Sequence, residues 1–113
     1  MKFIEINNKN YEIKYTINTL VRMESDGLDV MNLESLFGNP SFTLIRKLFF
    51  YGMLHSYGKS LTENKAGDLL DEYLENNNYN ELMTILIKEL VSALGHDVDK
   101  DAKEEESGEE AGK

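Results

Sequence analysis

The sequence predicts a single α+β domain that is mainly α, with an N-terminal β-hairpin packed on a small bundle of about four helices and a disordered acidic C-terminal tail. Apolar and polar residues alternate over the first fifteen positions, which is typical of paired strands. Apolar residues at helical spacing follow, up to residue 94, and beyond it the chain is almost devoid of them. We therefore expect a domain over residues 1–95 and a tail over residues 96–113.

The composition of the 113-residue chain narrows the classes of function. Its 21 acidic and 12 basic residues give a net charge of −9, which opposes binding to nucleic acid phosphates. The absence of cysteine removes disulfides, thiolate nucleophiles and Cys-ligated zinc. No apolar run reaches the length of a membrane span or of a signal peptide. We expect an intracellular protein that binds neither nucleic acid nor membrane.

The first fifteen residues predict a hairpin whose register depends on its two-residue turn. A turn at Asn8-Lys9 pairs Ile6 with Tyr11 and Ile4 with Ile13. A turn one residue earlier would place Ile6 opposite Lys9 and leave Ile13 and Tyr15 without apolar partners in the first strand. We therefore expect the turn at Asn8-Lys9. Two strands are unstable alone, so helices must cover them.

Two short helices are expected after the hairpin. Ile17, Leu20 and Val21 define one face of the first helix, which a neighbouring Thr or Asn can cap and which ends at Asp26-Gly27. The segment LDVMNLESLFGNP predicts another turn or two of helix before its glycine and proline.

Residues 41–57 predict a helix that is apolar almost all round. Such a helix either lies at the centre of its own fold or presses against another chain. Because about 95 residues cover all sides of one helix with difficulty, both interpretations stay open. Under the second, the residues that contact a partner or a second copy are Phe42, Ile45, Phe49 and Phe50, with Leu82 and Leu86 of the last helix.

Two amphipathic helices are expected to complete the domain. One begins near Thr62 and ends at the asparagines of residues 76–78, with an inner face of Ala66, Leu69, Leu70, Tyr73 and Leu74. The other runs over residues 80–94 and is closed by Gly95. It is expected to bury Leu82, Met83, Leu86, Ile87, Leu90, Val91 and Leu94.

Two motifs in the sequence approach known binding motifs without completing them. Residues 52–60 resemble a P-loop with one residue too many, and they follow a helical pattern where a P-loop needs a strand, so Gly58 is interpreted as a helix C-cap. The carboxylates of Asp97, Asp99 and Asp101 match the start of a calcium loop, but the glycine and the final glutamate of that loop are missing.

Candidate catalytic groups are equally sparse. His55 and His96 lie in different segments, and neither has a partner at metal-ligand spacing. The carboxylates of Asp68, Asp71 and Glu72 lie on the polar side of an amphipathic helix. We expect no catalytic residue, no cofactor, no metal site and no enzymatic activity.

The order of the segments and the residue types within them resemble those of a known family. A leading I-x-I-N-x-K-x-Y-E-I-K-Y hairpin, a short helix, a Gly-Asn-Pro loop, an aromatic-rich helix ending in L-F-F-Y-G-M-L-H, an acidic L-x-x-x-L-x-E-Y-L helix and a final amphipathic helix are similar to the tail assembly chaperones of long-tailed (siphovirus-type) phages of Gram-positive bacteria. These pieces are residues 4–15, 17–25, 38–40, 48–55, 69–74 and 82–94.

The resemblance implies a non-enzymatic, self-associating protein that binds and solubilises the tape-measure protein while tail-tube subunits polymerise around it. It implies the host cytoplasm as the location and absence from the mature virion. It also implies a longer, frameshifted form of the same protein, and it makes the tail-tube protein a further candidate partner.

Two alternatives come from other classes of protein. A small acidic phage protein for host takeover could imitate the charge of DNA, as the net charge of −9 suggests. A head-tail connector component is the second alternative, and it differs from a chaperone by remaining in the virion.

Overall fold

The computed structural model describes residues 2–95, which form an antiparallel hairpin followed by helices. The predicted fold class, mainly α with an N-terminal hairpin, is confirmed. The predicted disorder of residues 96–113 falls outside the described part of the chain. The elements are β1 (Lys2–Ile6), β2 (Lys9–Ile13), α1 (Ile17–Ser25), α2 (Leu33–Gly38), α3 (Phe42–Tyr57), α4 (Glu63–Leu74) and α5 (Tyr79–Ala93).

Helix α3 is the central element of the fold. It packs against β2, α4 and α5, and these neighbours cover most of its circumference. Its apolar surface is therefore explained chiefly by burial within the chain. The helix ends where Gly58 adopts a φ of 108°, which confirms the predicted C-cap and excludes a P-loop geometry in this segment. The buried residues of α3 are Leu44, Ile45, Leu48, Phe49, Phe50, Tyr51, Gly52 and Met53.

The hairpin register differs from the predicted one. Ile6 pairs with Lys9 and Ile4 with Tyr11, so the turn is Asn7-Asn8 and the prediction of Asn8-Lys9 is wrong. Both turn residues have positive φ, 53° and 66°. A tight turn with positive φ at both central positions suits two asparagines and would strain a lysine. Turn chemistry therefore outweighed the pairing of apolar side chains.

The end of the second strand finds its partners on α3. The Lys14 N–H donates to the Gly52 carbonyl at 3.0 Å, and the Tyr15 hydroxyl donates to the Leu48 carbonyl at 2.7 Å. Ile13 is fully buried against this helix. A Cβ on Gly52 would lie 3.0 Å from the Tyr15 hydroxyl oxygen and 3.2 Å from Ile13 Cγ2. The glycine therefore permits a close approach of strand and helix.

Tyr15 is the most deeply buried ionisable group of this contact. Burial raises the pKa of its phenol well above the ordinary value, and the nearby Glu89 carboxylate raises it further. The phenol of Tyr15 therefore stays protonated, and its hydroxyl keeps the hydrogen bond that it donates to the Leu48 carbonyl of α3.

A polar cluster ties the end of α1 to α3. The Lys47 ammonium lies 2.8 Å from Asp26 Oδ2, and the Tyr51 hydroxyl donates to the same oxygen at 3.0 Å. These bonds, that of Lys47 first, lower the pKa of the Asp26 carboxyl, and the Asp26 bond raises the pKa of Lys47. Burial raises the pKa of Tyr51, whose ring also lies 5.9 Å from the Arg22 guanidinium.

Helix α1 faces the core differently from the predicted orientation. Thr16 caps it, accepting from the Thr19 N–H at 3.1 Å. Of the predicted face only Leu20 is buried, while Ile17 and Val21 are 69% and 53% exposed. The helix buries Leu20 with Thr19 and Met23 instead. A nine-residue helix with apolar residues on two sides has no local preference between them, so the spacing of apolar residues alone does not fix which side is buried.

Helices α4 and α5 occur where predicted but bury narrower stripes. Thr62 caps α4, and Asn78 caps α5 in a reciprocal bond with Glu81. In α4, Ala66, Leu69 and Tyr73 are buried, whereas Leu70 is half-buried and Leu74 exposed. In α5, Leu82, Leu86 and Leu90 are buried, Met83, Val91 and Leu94 are half-buried, and Ile87 is exposed.

Candidate functional site

The candidate site is an apolar groove where α3 and α5 begin. Its volume is about 520 Å³, and it is open to solvent along one side. None of the residues that line it carries a charge, in a chain whose net charge is −9. The lining consists of Pro40, Ser41, Phe42, Ile45 and Tyr79.

The local sequence explains why Phe42 projects into solvent. Ser41 is the N-cap of α3, and its hydroxyl accepts from the Leu44 N–H at 3.1 Å. Phe42 is therefore the first residue of the helix. Side chains in a helix lean towards its N-terminus, so a first-turn side chain extends past the helix end with no preceding turn to cover it. The ring of Phe42 is 90% exposed.

Tyr79 has the same position in α5. It follows the cap residue Asn78 directly and is the first residue of its helix, with 40% of its surface exposed. The groove thus brings together two aromatic side chains that are each placed by a helix cap. Ile45, one turn into α3, is almost fully buried and forms the apolar floor.

Five of the six predicted partner-contacting residues lie in the core. Phe49, Leu82 and Leu86 have almost no exposed surface, and Phe50 is also buried. Ile45 is buried at the floor of the groove. Phe49, Phe50, Leu82 and Leu86 are enclosed by contacts within the chain, whereas Phe42 and Ile45 line the open groove. Partner contact through these six residues stays a prediction.

Sequence reasoning missed Pro40 and Tyr79 as part of this surface. The available signal was positional, because an aromatic residue directly after a capping Ser or Asn occurs twice, as Ser41-Phe42 and Asn78-Tyr79. The pattern of apolar spacing assigns such residues to the helix interior, whereas the first turn of a helix has no neighbour on its outer side. In this chain the aromatic residue after each of these two caps is exposed, Phe42 more than Tyr79.

Other exposed apolar side chains lie outside the groove. The four with the largest exposed fractions are Met31, Ile17, Phe3 and Val21. Singly exposed apolar residues are ordinary on protein surfaces, and these do not line an apolar groove with a second aromatic residue. Met31, which is 77% exposed, is therefore a suitable control for Phe42.

The motifs with possible chemistry do not converge on a site in the described residues. The exposed His55 imidazole lies 3.8 Å from the Glu12 carboxylate, at salt-bridge rather than hydrogen-bond distance. Between residues 2 and 95 there is no group of three or more His, Cys, Asp or Glu side chains placed to hold a metal ion. The calcium-like run at Asp97, Asp99 and Asp101, like His96, lies outside the described residues. Among the helices within residues 2–95, none has the length and apolar character needed to cross a bilayer.

Comparison with known proteins identifies one family. The family model described as a domain of unknown function (DUF5055) matches residues 1–108. No curated protein and no solved structure matches the chain.

Proposed function

The chain belongs to the family described as a domain of unknown function (DUF5055), and we propose that this chain is a non-enzymatic phage tail assembly chaperone. In this proposal it binds the tape-measure protein and keeps it soluble during assembly of the tail tube. The resemblance of its segments to tail assembly chaperones suggests the role. The exposed apolar groove at Phe42 is the single observation that supports it best.

The groove has the properties that an apolar client requires. Transfer of a phenylalanine side chain from water to an apolar contact contributes about 1.5–3 kcal/mol, and Phe42 is 90% exposed. Tyr79 and Ile45 supply a second aromatic wall and an apolar floor. Because the lining is uncharged, an amphipathic helix can lay its apolar face there without leaving a charge unpaired. A long helical tape-measure protein presents many such faces.

The small size of the groove favours binding by many copies. Stable pairwise interfaces bury roughly 1,200–2,000 Å², which is much more than one exposed aromatic ring and a five-residue groove can supply. Each contact is therefore weak, and strong binding arises from many copies along one client. Self-association of the chain and copies of a longer, frameshifted form would add to this avidity. Weak single contacts also suit release when tail-tube subunits replace the chaperone.

The charge of the chain fits the same role. A protein that exposes apolar surface stays soluble when it carries a large net charge, here −9. The proposed location is the host cytoplasm, where tails assemble, and the proposal places the chain outside the mature virion.

The proposal expects a gene beside this one that encodes a helix-rich protein of many hundreds of residues. The test is co-expression of the chain with that product, the expected tape-measure protein. The wild-type chain should increase the soluble fraction of the client, and both should elute together in size-exclusion chromatography. Phe42→Asp should abolish both effects, because the charge prevents burial of the groove. Circular dichroism checks that the exposed substitution leaves the fold intact.

Met31→Asp is the matched control, because Met31 is also exposed and lies outside the groove. It should support the client as well as the wild type does. The proposal fails if the wild-type chain leaves the client insoluble, or if no such client gene is present. Stoichiometric amounts of this chain in purified virions, detected by mass spectrometry, would favour a connector instead.

A further inference from the structure

A second groove lies between the hairpin and the helices, away from Phe42. Its volume is about 410 Å³. The rings of Tyr11 and Tyr57 stack in it with centroids 6.1 Å apart and an interplanar angle of 21°. Lys9 at the start of β2 and Lys65 in the first turn of α4 line the same groove. It therefore combines an aromatic wall with two ammonium groups.

The two lysines have no anionic partner within the described residues. The ion pairs there use other cations, chiefly Arg46 and Lys47. The one carboxylate of the groove, Glu72, accepts a hydrogen bond from the Asn7 amide at 2.8 Å. With two lysines and one glutamate, the lining has a formal charge of +1.

Neighbouring grooves have the opposite sign. The groove on the other side of the hairpin turn is lined by Glu5, Glu72 and Glu75 without a cation. The groove beside the end of α5 contains Glu12 and Glu89 with the single cation Lys14. An anionic segment that approaches this body is therefore drawn to the groove of Lys9 and Lys65.

We propose that the groove binds the acidic C-terminal segment of the same chain, through the three consecutive glutamates of residues 104–106. Residues 96–113 contain eight acidic residues and three lysines, and the densest negative charge is at residues 104–106. The contact is a set of charge-assisted bonds to two lysines and needs no regular secondary structure. It does not depend on the proposed function, because it uses another surface.

The length of chain beyond α5 allows this contact. Ser92 and Ala93, in the last turn of α5, line a cleft together with Glu12 of β2. Lys9 lies three residues along that strand, about 10 Å away at the usual rise. The nine residues from Gly95 to residue 104 can span up to about 30 Å. Tethering also raises the local concentration of the segment to the millimolar range.

The family match extends over the proposed contact segment. The matching model continues past α5 to residue 108, so it includes the glutamates of residues 104–106.

The contact is tested on the full chain by measuring paramagnetic relaxation enhancement by NMR. The chain contains no cysteine, so Ser107→Cys gives a single attachment point for a nitroxide label. At low salt the label should reduce the amide peak heights of Lys9, Tyr11, Tyr57 and Lys65, and leave those around Phe42 unchanged. At about 1 M salt, where the Debye length is about 3 Å, the loss of peak height should disappear.

Matched charge variants separate a specific contact from general attraction. Replacing the glutamates of residues 104–106 by glutamine should restore the peak heights, whereas replacing Asp97, Asp99 and Asp101 by asparagine should leave the broadening in place. Lys9→Gln combined with Lys65→Gln should also restore the peak heights.

Three results would overturn the proposal. The first is the absence of broadening at the groove in the labelled full chain. The second is equal broadening in both acidic variants. The third is broadening in a mixture of isotope-labelled chains without nitroxide and nitroxide-labelled chains without isotope, which would assign the contact to a second copy.

Discussion

At the scale of single residues, Gly52 sets the distance between the hairpin and the central helix. Glycine inside a helix costs about 1 kcal/mol relative to alanine. Here its hydrogen leaves room for Tyr15 and Ile13, which would lie 3.0–3.2 Å from a Cβ. The glycine lowers the helix propensity at this position, but the close approach allows two hydrogen bonds, from the Lys14 N–H and the Tyr15 hydroxyl to carbonyls of α3.

Gly52→Ala should therefore destabilise the protein although alanine is the better helix former. Overpacking of a core costs about 1–3 kcal/mol, which exceeds the gain in propensity and leaves a net loss of up to about 2 kcal/mol. Urea denaturation measures the difference in free energy of unfolding. The control is Gly38→Ala in α2, where a Cβ would meet nothing within 4 Å. A Gly52→Ala variant as stable as the wild type would show that the strand can move away.

The Asp26 carboxylate should make the free energy of unfolding depend on pH in the acidic range. Its pKa in the folded chain is lowered by Lys47 and Tyr51, so the unfolded chain binds a proton at this carboxyl more readily. Its contribution is fully present above the ordinary pKa of aspartate and is lost as pH falls through the lowered folded pKa. Because the side chain is one-third exposed, this contribution is at most about 1 kcal/mol.

The measurement is the free energy of unfolding at a series of acidic pH values. Asp26→Asn should lower stability at neutral pH and flatten the decline in acid, since an amide side chain takes up no proton in this range of pH. Asp29→Asn, in the loop after α1 and exposed, should change neither. Parallel pH profiles for the wild type and Asp26→Asn would contradict the role assigned to this carboxyl.

At the scale of elements, the conformation of the hairpin turn fixes which residues of β1 and β2 pair with each other. Asn7 and Asn8 both adopt positive φ, and the register of every later residue in β2 follows from that turn. Ile13, which has Lys2 opposite it in the sheet, is buried by α3. The apolar partners of β2 are therefore supplied partly by a helix, which a pairwise strand analysis does not consider.

Substitution by valine distinguishes the two possible turns. Asn7→Val should destabilise the protein by about 1–2 kcal/mol, because a β-branched residue is strained at the positive φ that Asn7 adopts, whereas a turn at Asn8-Lys9 would place residue 7 in the strand. Lys9→Val should have little effect, because Lys9 is in a strand and valine favours strands. Thermal denaturation compares the two. The opposite order of effects would indicate a turn at Asn8-Lys9.

Helix α5 allows a similar test of which face is buried. Leu86 is almost completely buried, and Leu86→Ala should cost about 2–5 kcal/mol. Its neighbour Ile87 is 36% exposed, and Ile87→Ala should cost clearly less. Equal losses in chemical denaturation would mean that the predicted wide stripe is buried after all.

At the scale of the whole molecule, charge and exposed apolar surface act against each other. The net charge of −9 keeps copies apart at neutral pH, while the groove at Phe42 favours contact between apolar surfaces. Near the isoelectric point of about 4.6 the repulsion vanishes. Association between copies at that pH then depends on the exposed apolar surface.

Light scattering against pH should show maximal association near pH 4.6. Phe42→Ser should reduce the maximum, and Met31→Ser should reduce it less, because Met31 lies outside the groove. Serine leaves the charge unchanged, so the isoelectric point stays in place. Identical scattering by the two variants would show that the groove has no special part in association.

The sequence by itself determined the order and the kind of the elements, because these depend on neighbours three or four positions away along the chain. Caps such as Thr62 and the stop at Gly58 belong to this local information. The tertiary structure decided the candidate site. Phe42 and Phe49 are both phenylalanines of one apolar helix, and the spacing of apolar residues does not distinguish them. The cap at Ser41 places Phe42 in the first turn, but which parts of the helix are covered depends on the other elements. Phe42 is 90% exposed and Phe49 fully buried because the other elements cover the middle of α3 and leave its first turn open.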